Sequence, residues 1–177
     1  MVDRRGDGFT FVNAATAMNT LQKIAKRGKG VRAWKLEGER LSGDPRFARL
    51  IDSVRKHCPS FGGREGANVL HALGVLDADL GAAAVDEKLA AQLGGFVERK
   101  ARDMNPQNVA NSLNALSKLE AVTAAVSLVG WKRMAEAVER TASEMKPQKV
   151  ADSSNGLSKP SDAEFGNDNA RLSRRIT

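Results

Sequence analysis

Two stretches of the chain, NPQNVANSLNALSKL from Asn105 and KPQKVADSSNGLSKP from Lys146, are one phrase written twice. Pro106 to Leu119 and Pro147 to Pro160 agree at nine of fourteen positions, 41 residues apart. An internal period of that length constrains a fold more than any single motif, because each copy must be one structural unit that buries its apolar face against the next. Two looser copies lie upstream. In FGGREGANVLHALGVL, from Phe61, Ala67-Asn68 and Ala72-Leu73 align with Ala110-Asn111 and Ala115-Leu116. In FVNAATAMNTLQKIAK, from Phe11, Asn19-Thr20-Leu21 aligns with Asn111-Ser112-Leu113. The equivalent positions Asn19, Asn68, Asn111 and Asp152 are 49, 43 and 41 residues apart, a period suited to a pair of helices.

Each copy has the chemistry of a helix start. Asn105 can cap with its side-chain oxygen, and Pro106 in the first turn gives up an N–H that has no partner there. At 100° per residue Val109, Leu113 and Leu116 share one face, which is the expected core. A second helix is expected after each first one. Asp44-Pro45 opens one with Phe47, Leu50, Ile51 and Val54 as its stripe; Leu89, Leu93 and Phe96 mark the next, and Trp131, Met134 and Val138 the third. GKG at 28–30, LSGD at 41–44 and CPSFGG at 58–63 supply turns. Alanine and leucine carry the apolar content, with six Phe, two Trp and no Tyr, and strand-like alternation is essentially absent. The expected fold is all-α, an α-solenoid of about 3.5 repeats over residues 9–160 (9–57, 58–103, 104–145 and a partial 146–160), between a flexible start at 1–8 and a flexible polar tail at 161–177.

The last copy departs from the phrase where packing matters. Ser154 stands where Leu113 anchors the core, Gly156 where Ala115 stands and Pro160 where Leu119 stands. A lost buried leucine costs about 2 to 5 kcal/mol, so this copy is expected to be a decaying terminal cap or an interrupted repeat.

The formal net charge of +7 is uneven, with 13 Lys/Arg against 6 Asp/Glu in residues 1–60. Such a region attracts polyanions, nucleic acid above all. On the helical wheel Gln107, Asn111, Asn114 and Lys118 cluster opposite the core of their helix. Asn19, Gln22 and Lys26, with Arg27 beside them, hold the same place in the first copy; Arg64, Asn68 and His71 hold it in the second, and Gln148, Asp152, Asn155 and Lys159 in the fourth. Stacked copies would present a ladder of amides flanked by cations. An amide offers donor and acceptor side by side to a base edge, and a lysine meets phosphate. The plainer reading is that Asn at a fixed repeat position bonds a neighbouring loop, with Asn111 and Asn68 the best cases, and that a polar stripe is what any solvated helix shows. Trp34, between Arg32 and Lys35, can stack a base, or dock a loop against a helix.

Other chemistry is weakly signalled. The single cysteine, Cys58, excludes an internal disulfide framework, no Cys/His spacing suits a metal, and no cofactor is expected. His57-Cys58 lacks any acid or second base placed by sequence, so packing is the better account of Cys58. The GKG and FGG loops lack the preceding strand and following Lys-Ser/Thr of a phosphate-binding loop. No run approaches about 20 apolar residues, so no membrane partner is expected. MVDRRGDGFT has no apolar signal core, and Asp3 and Asp7 make it a poor organellar presequence.

MNPQNVANSLNALSKLE, FGGREGANVLHALGVLD and FVNAATAMNTLQKIAKRG resemble the helical repeats of octotricopeptide-repeat proteins and the related arrays of FAST-kinase-like and RAP-domain proteins. The resemblance spans about residues 9–160. It implies an α-solenoid that binds single-stranded RNA in a chloroplast or mitochondrion and serves RNA stability, processing or translation. Nothing after Pro160 resembles a RAP domain, so the resemblance implies a binder and not an enzyme. NALSKL and GLSKPSD are also similar to the SKWP repeats of bacterial effectors, which implies instead a protein–protein interaction scaffold; the signature Trp is missing, since Leu119 and Pro160 follow the two Ser-Lys pairs. So few repeats can recognise only a few bases, so the chain is expected to act as a fragment, a degenerate relative or a subunit with other protein partners.

Overall fold

The computed structural model describes residues 9–27, 41, 43–80 and 85–145, with backbone alone at 25–27 and 77–80. The fourth copy at 146–160, the two ends at 1–8 and 161–177, and Trp34, Gln148, Asn155 and Lys159 lie outside the described residues. Among the described residues the protein is all-α, with no strand.

In chain order the helices are α1 (Phe11–Arg27), α2 (Pro45–His57), α3 (Gly63–Leu80), α4 (Glu87–Lys100), α5 (Pro106–Leu116), α6 (Glu120–Ala125) and α7 (Leu128–Thr141). The starts of α2, α4, α5 and α7 are set by side-chain caps that satisfy otherwise orphaned N–H groups. Asp44 accepts from the Arg46 N–H at 2.8 Å and Asp86 from that of Leu89 at 2.8 Å. Asn105 accepts from Asn108 N–H at 2.9 Å, with Pro106 behind it, and Ser127 from Gly130 N–H at 3.0 Å. The Leu89 N–H, and then the Arg55 guanidinium, hold the Asp86 carboxyl below its usual pKa, so this cap stabilises the fold at neutral pH and weakens as pH falls through the carboxylate range.

The helices pack in two rows. In the first, α1 lies against α3 and α3 against α5. The second row backs it: α2 packs on α1, α4 on α3, and α7 on both α4 and α5. The stripes expected on the second helices are all buried, including Phe47, Leu50, Ile51 and Val54 on α2 and Leu89, Leu93 and Phe96 on α4. On α7 Trp131, Met134 and Val138 are buried likewise. Arginines tie each second-row helix to its neighbour. Arg55 meets Asp86 at 2.9 Å, Arg133 donates to the Glu98 carbonyl and Arg140 to that of Met104, both at 2.8 Å.

Each second-row helix ends in the same device, a single 3-10 turn: Cys58–Ser60, Ala101–Asp103 and Ala142–Glu144. The turn closes when the N–H of Phe61, Met104 or Met145 bonds back to the carbonyl of Cys58, Ala101 or Ala142, and an extended residue then leads away from it. These turns begin 43 and 41 residues apart, the steps that separate Asn68, Asn111 and Asp152. Local backbone and sequence phrase recur together, so the domain is helical-repeat-like.

One feature departs from the sequence reading. The first helix of the third unit breaks after Leu116 into α5 and the short α6, whereas α1 and α3 run for 17 and 18 residues. The N–H groups of Lys118 and Leu119 both turn back to the Ala115 carbonyl, and the Thr123 hydroxyl donates to the freed carbonyl of Leu116. The break lets α6 lie on α4, where Gly94 makes room. A Cβ added at Gly94 would stand 2.4 Å from the Ala125 carbonyl oxygen.

Candidate nucleic-acid interface

The open face of the first row is best defined at its central helix. With α1 on one flank, α5 on the other and α4 behind, α3 leaves only Gly63, Arg64, Glu65, Asn68, His71 and Val75 unburied between Gly63 and Leu76. Arg64, Asn68, His71 and Val75 fall within an arc of about 60° at 100° per residue, a single strip along the helix. The adjoining strip on α5 carries exposed Gln107 and half-buried Asn114, with exposed Lys118 in the turn that follows the helix. On α1 it carries half-buried Asn19. The structure therefore brings Arg64, Asn68, His71, Gln107, Asn114 and Lys118 to adjoining strips of α3 and α5, while on α1 Ala15 and Gln22, the equivalents of Arg64 and His71, are buried and Asn19 is half-buried.

Asn111 and Gln22 belong to the same stripes but are 7 % and 5 % exposed. A wheel drawn about one core direction treats the opposite half of a helix as solvated. Here α3 is flanked by neighbours on both sides, so its open strip is much narrower than half the circumference. On α5 every residue from Asn108 to Leu113 is buried. Of Lys26 and Arg27 only the backbone, in the last turn of α1, is described.

The equivalent positions form rows across the helices: Asn19, Asn68 and Asn111; then Gln22, His71 and Asn114; then Lys26, Val75 and Lys118. Local bonds orient several of these groups. Lys118 Nζ donates to Asn114 Oδ1 at 3.1 Å, which leaves the Asn114 amide N–H groups for another acceptor. Gln22 Nε2 donates to Asn19 Oδ1 at 3.2 Å, while Gln22 Oε1 is buried with no hydrogen-bond partner among the described residues. Arg64 and Lys118 supply positive charge at two places on the face, against the half-buried carboxylate of Glu65. Val75 and Glu65 were not singled out by the stripe of polar residues. Val75 was legible from its alignment with Lys26 and Lys118, as an apolar residue where the other copies hold a lysine.

Cys58 is outside this surface. It is fully buried at the end of α2, and burial pushes its thiol from 9.0 up to about 11, although the Arg99 charge pulls the other way. At pH 8 its thiolate fraction is therefore about a hundredfold below that of an ordinary exposed thiol. Titration with a chromogenic disulfide reagent is expected to label Cys58 very slowly in the native protein and at once in denaturant. Rapid native labelling would contradict the packing role. The sign of the shift also makes this burial a stabilising contribution up to about pH 9, lost as pH rises through 11.

Among the described residues no helix is long and apolar enough to cross a membrane, and no group of three or more His, Cys, Asp or Glu side chains is placed to hold a metal. No family model, curated protein or solved structure matches the chain at a significant level. Fold and surface together define the class, a helical-repeat-like all-α domain with one polar, cation-bearing open face.

Proposed function

We propose that the chain is an α-solenoid that binds single-stranded RNA along the open face of α1, α3 and α5. The observation that carries this reading is the strip on α3, where unburied Arg64, Asn68 and His71 form a narrow polar line, continued by Gln107 and Asn114 on α5 and by Lys118 just past its end. Cations fix phosphates, and the amides and His71 between them offer hydrogen bonds to base edges. The resemblance of the three motifs to octotricopeptide repeats supports a role in RNA stability, processing or translation in a chloroplast or mitochondrion, as a binder and not an enzyme.

Fluorescence anisotropy with a labelled single-stranded RNA at low salt tests the reading. Affinity is expected to fall with salt at a log–log slope of about 0.7 per neutralised phosphate. The double reversal Arg64→Glu and Lys118→Glu is expected to weaken binding by about tenfold or more and to flatten that slope, while Lys132→Glu on the second row leaves both unchanged. Absence of binding at low salt, or equal effects of the two variants, would overturn it. A protein-interaction scaffold is the second reading, favoured by exposed Phe11, Val12 and Ile24 on α1; partners of such a scaffold would survive nuclease treatment in pull-downs.

A further inference from the structure

Lys118 Nζ lies 3.1 Å from Asn114 Oδ1. An ammonium group only donates, so the amide atom that faces it is the oxygen, and the Asn114 amide is held in one of its two orientations. Residues four apart meet in this way along a helix. The Lys118 backbone is fixed as well, its N–H bonding to the Ala115 carbonyl at 2.9 Å. Asn114 Nδ2, by contrast, has no acceptor among the described residues. Beside this pair α3 and α5 are drawn together, for a Cβ added at Gly74 would stand 2.9 Å from Ala115 Cα. Half-buried His71 and Val75 border Gly74 on the open strip of α3. Val75 holds the position that Lys118 holds in the third copy, so an apolar residue on one helix adjoins an amide and a cation on the other. The fourth copy repeats the pair as Asn155 and Lys159, although Ser154, Gly156 and Pro160 replace its packing residues. A pair kept where core residues are lost points to a task at the surface.

We infer that Lys118 is a positioning residue that makes Asn114 a donor-only contact, and that this place on the surface selects a keto base, uracil or guanine, over an amino base. The inference rests on the RNA-binding reading above. A freely turning asparagine pairs with adenine through both ends of its amide, the oxygen accepting from N6 and the nitrogen donating to N7. With Oδ1 held by Lys118 that pairing is lost, and the N–H groups that remain need an acceptor. Uracil O4 and guanine O6 are acceptors at the place where cytosine and adenine carry an amino group. An amino group there sets donor against donor and leaves both without a partner, which is costly once water is excluded. Val75 gives the base an apolar surface to lie against. The Lys118 ammonium has three donors and gives one to Asn114, so it can also meet the phosphate of the same nucleotide.

Fluorescence anisotropy at low salt with labelled oligouridylate and oligocytidylate of equal length provides the test, since the two bases differ only along the edge that Asn114 would read. The expected result is tighter binding of oligouridylate by about fivefold or more, the worth of a single hydrogen bond. Lys118→Met frees the amide to turn, and Asn114→Ala removes it, so each is expected to abolish the preference. Lys118→Arg keeps a donor beside Oδ1 and is expected to retain it. Arg64→Gln is expected to weaken both RNAs alike, because a phosphate contact carries no base information. Lys118 is exposed and Asn114 half-buried, so the helical circular dichroism of the variants should match the parent. Equal binding of the two RNAs by the parent, or a preference that survives Lys118→Met or Asn114→Ala, overturns the inference and leaves the RNA-binding reading standing. Absence of binding to both RNAs overturns the reading and the inference together.

Discussion

Replacing Leu113 by serine is expected to destabilise the protein by at least about 2 to 5 kcal/mol, the cost of truncating a buried leucine. The residue is fully buried at the centre of α5, beside Val109 and Leu116 on the face toward the core. The change leaves a cavity and also buries a hydroxyl, which adds a desolvation cost unless a helix carbonyl accepts its proton. It is also the change that separates the two copies of the repeated phrase, for Ser154 stands where Leu113 does. Urea unfolding followed by circular dichroism measures it. A loss below about 1 kcal/mol would mean that the third copy tolerates the fourth copy's residue, and that Ser154 is no sign of a weakened repeat.

The second large effect is expected at Phe96, which is fully buried on α4 with its ring pressed onto α3 at Gly66. A Cβ added at Gly66 would stand 2.1 Å from Phe96 Cε2, so the ring fills space that only a glycine leaves free. Phe96→Ala is expected to cost about 3 to 5 kcal/mol through the cavity. Gly66→Ala is expected to cost about 1 to 3 kcal/mol by overpacking. The two should be strongly non-additive, because removing the ring clears the site that the new methyl group needs. A double-mutant cycle by thermal or urea unfolding reads the coupling directly. Additive losses would show that α3 and α4 do not meet through this pair.

Much of this architecture was legible because it depends on interactions within one helix. Asn105 and Asp44 cap where the sequence places a cap before proline, since the donor, acceptor and Pro are all within a few residues. The stripe of Phe47, Leu50, Ile51 and Val54 is buried because a 3.6-residue period leaves a helix only one apolar face to bury. Recurrence of the 3-10 turns at the spacing of the phrases follows similarly, each turn being closed by a local bond. The break after Leu116 was not legible. It is held by a bond from Thr123 seven residues on and by the room that Gly94 leaves on a different helix, and neither has a periodic signature.

The candidate surface divides along the same line. The amino-acid sequence alone determined the helical class, the period, the caps and the identity of the polar stripe, because these follow from the backbone geometry of single helices and from side-chain chemistry. Tertiary structure decided which members of the stripe face outward. Packing buries Asn111 and Gln22 and leaves Arg64, Asn68, His71, Asn114 and Lys118 on the surface, although all share one wheel pattern. A helical wheel specifies directions about an axis, and only the positions of neighbouring helices determine which of those directions meet water.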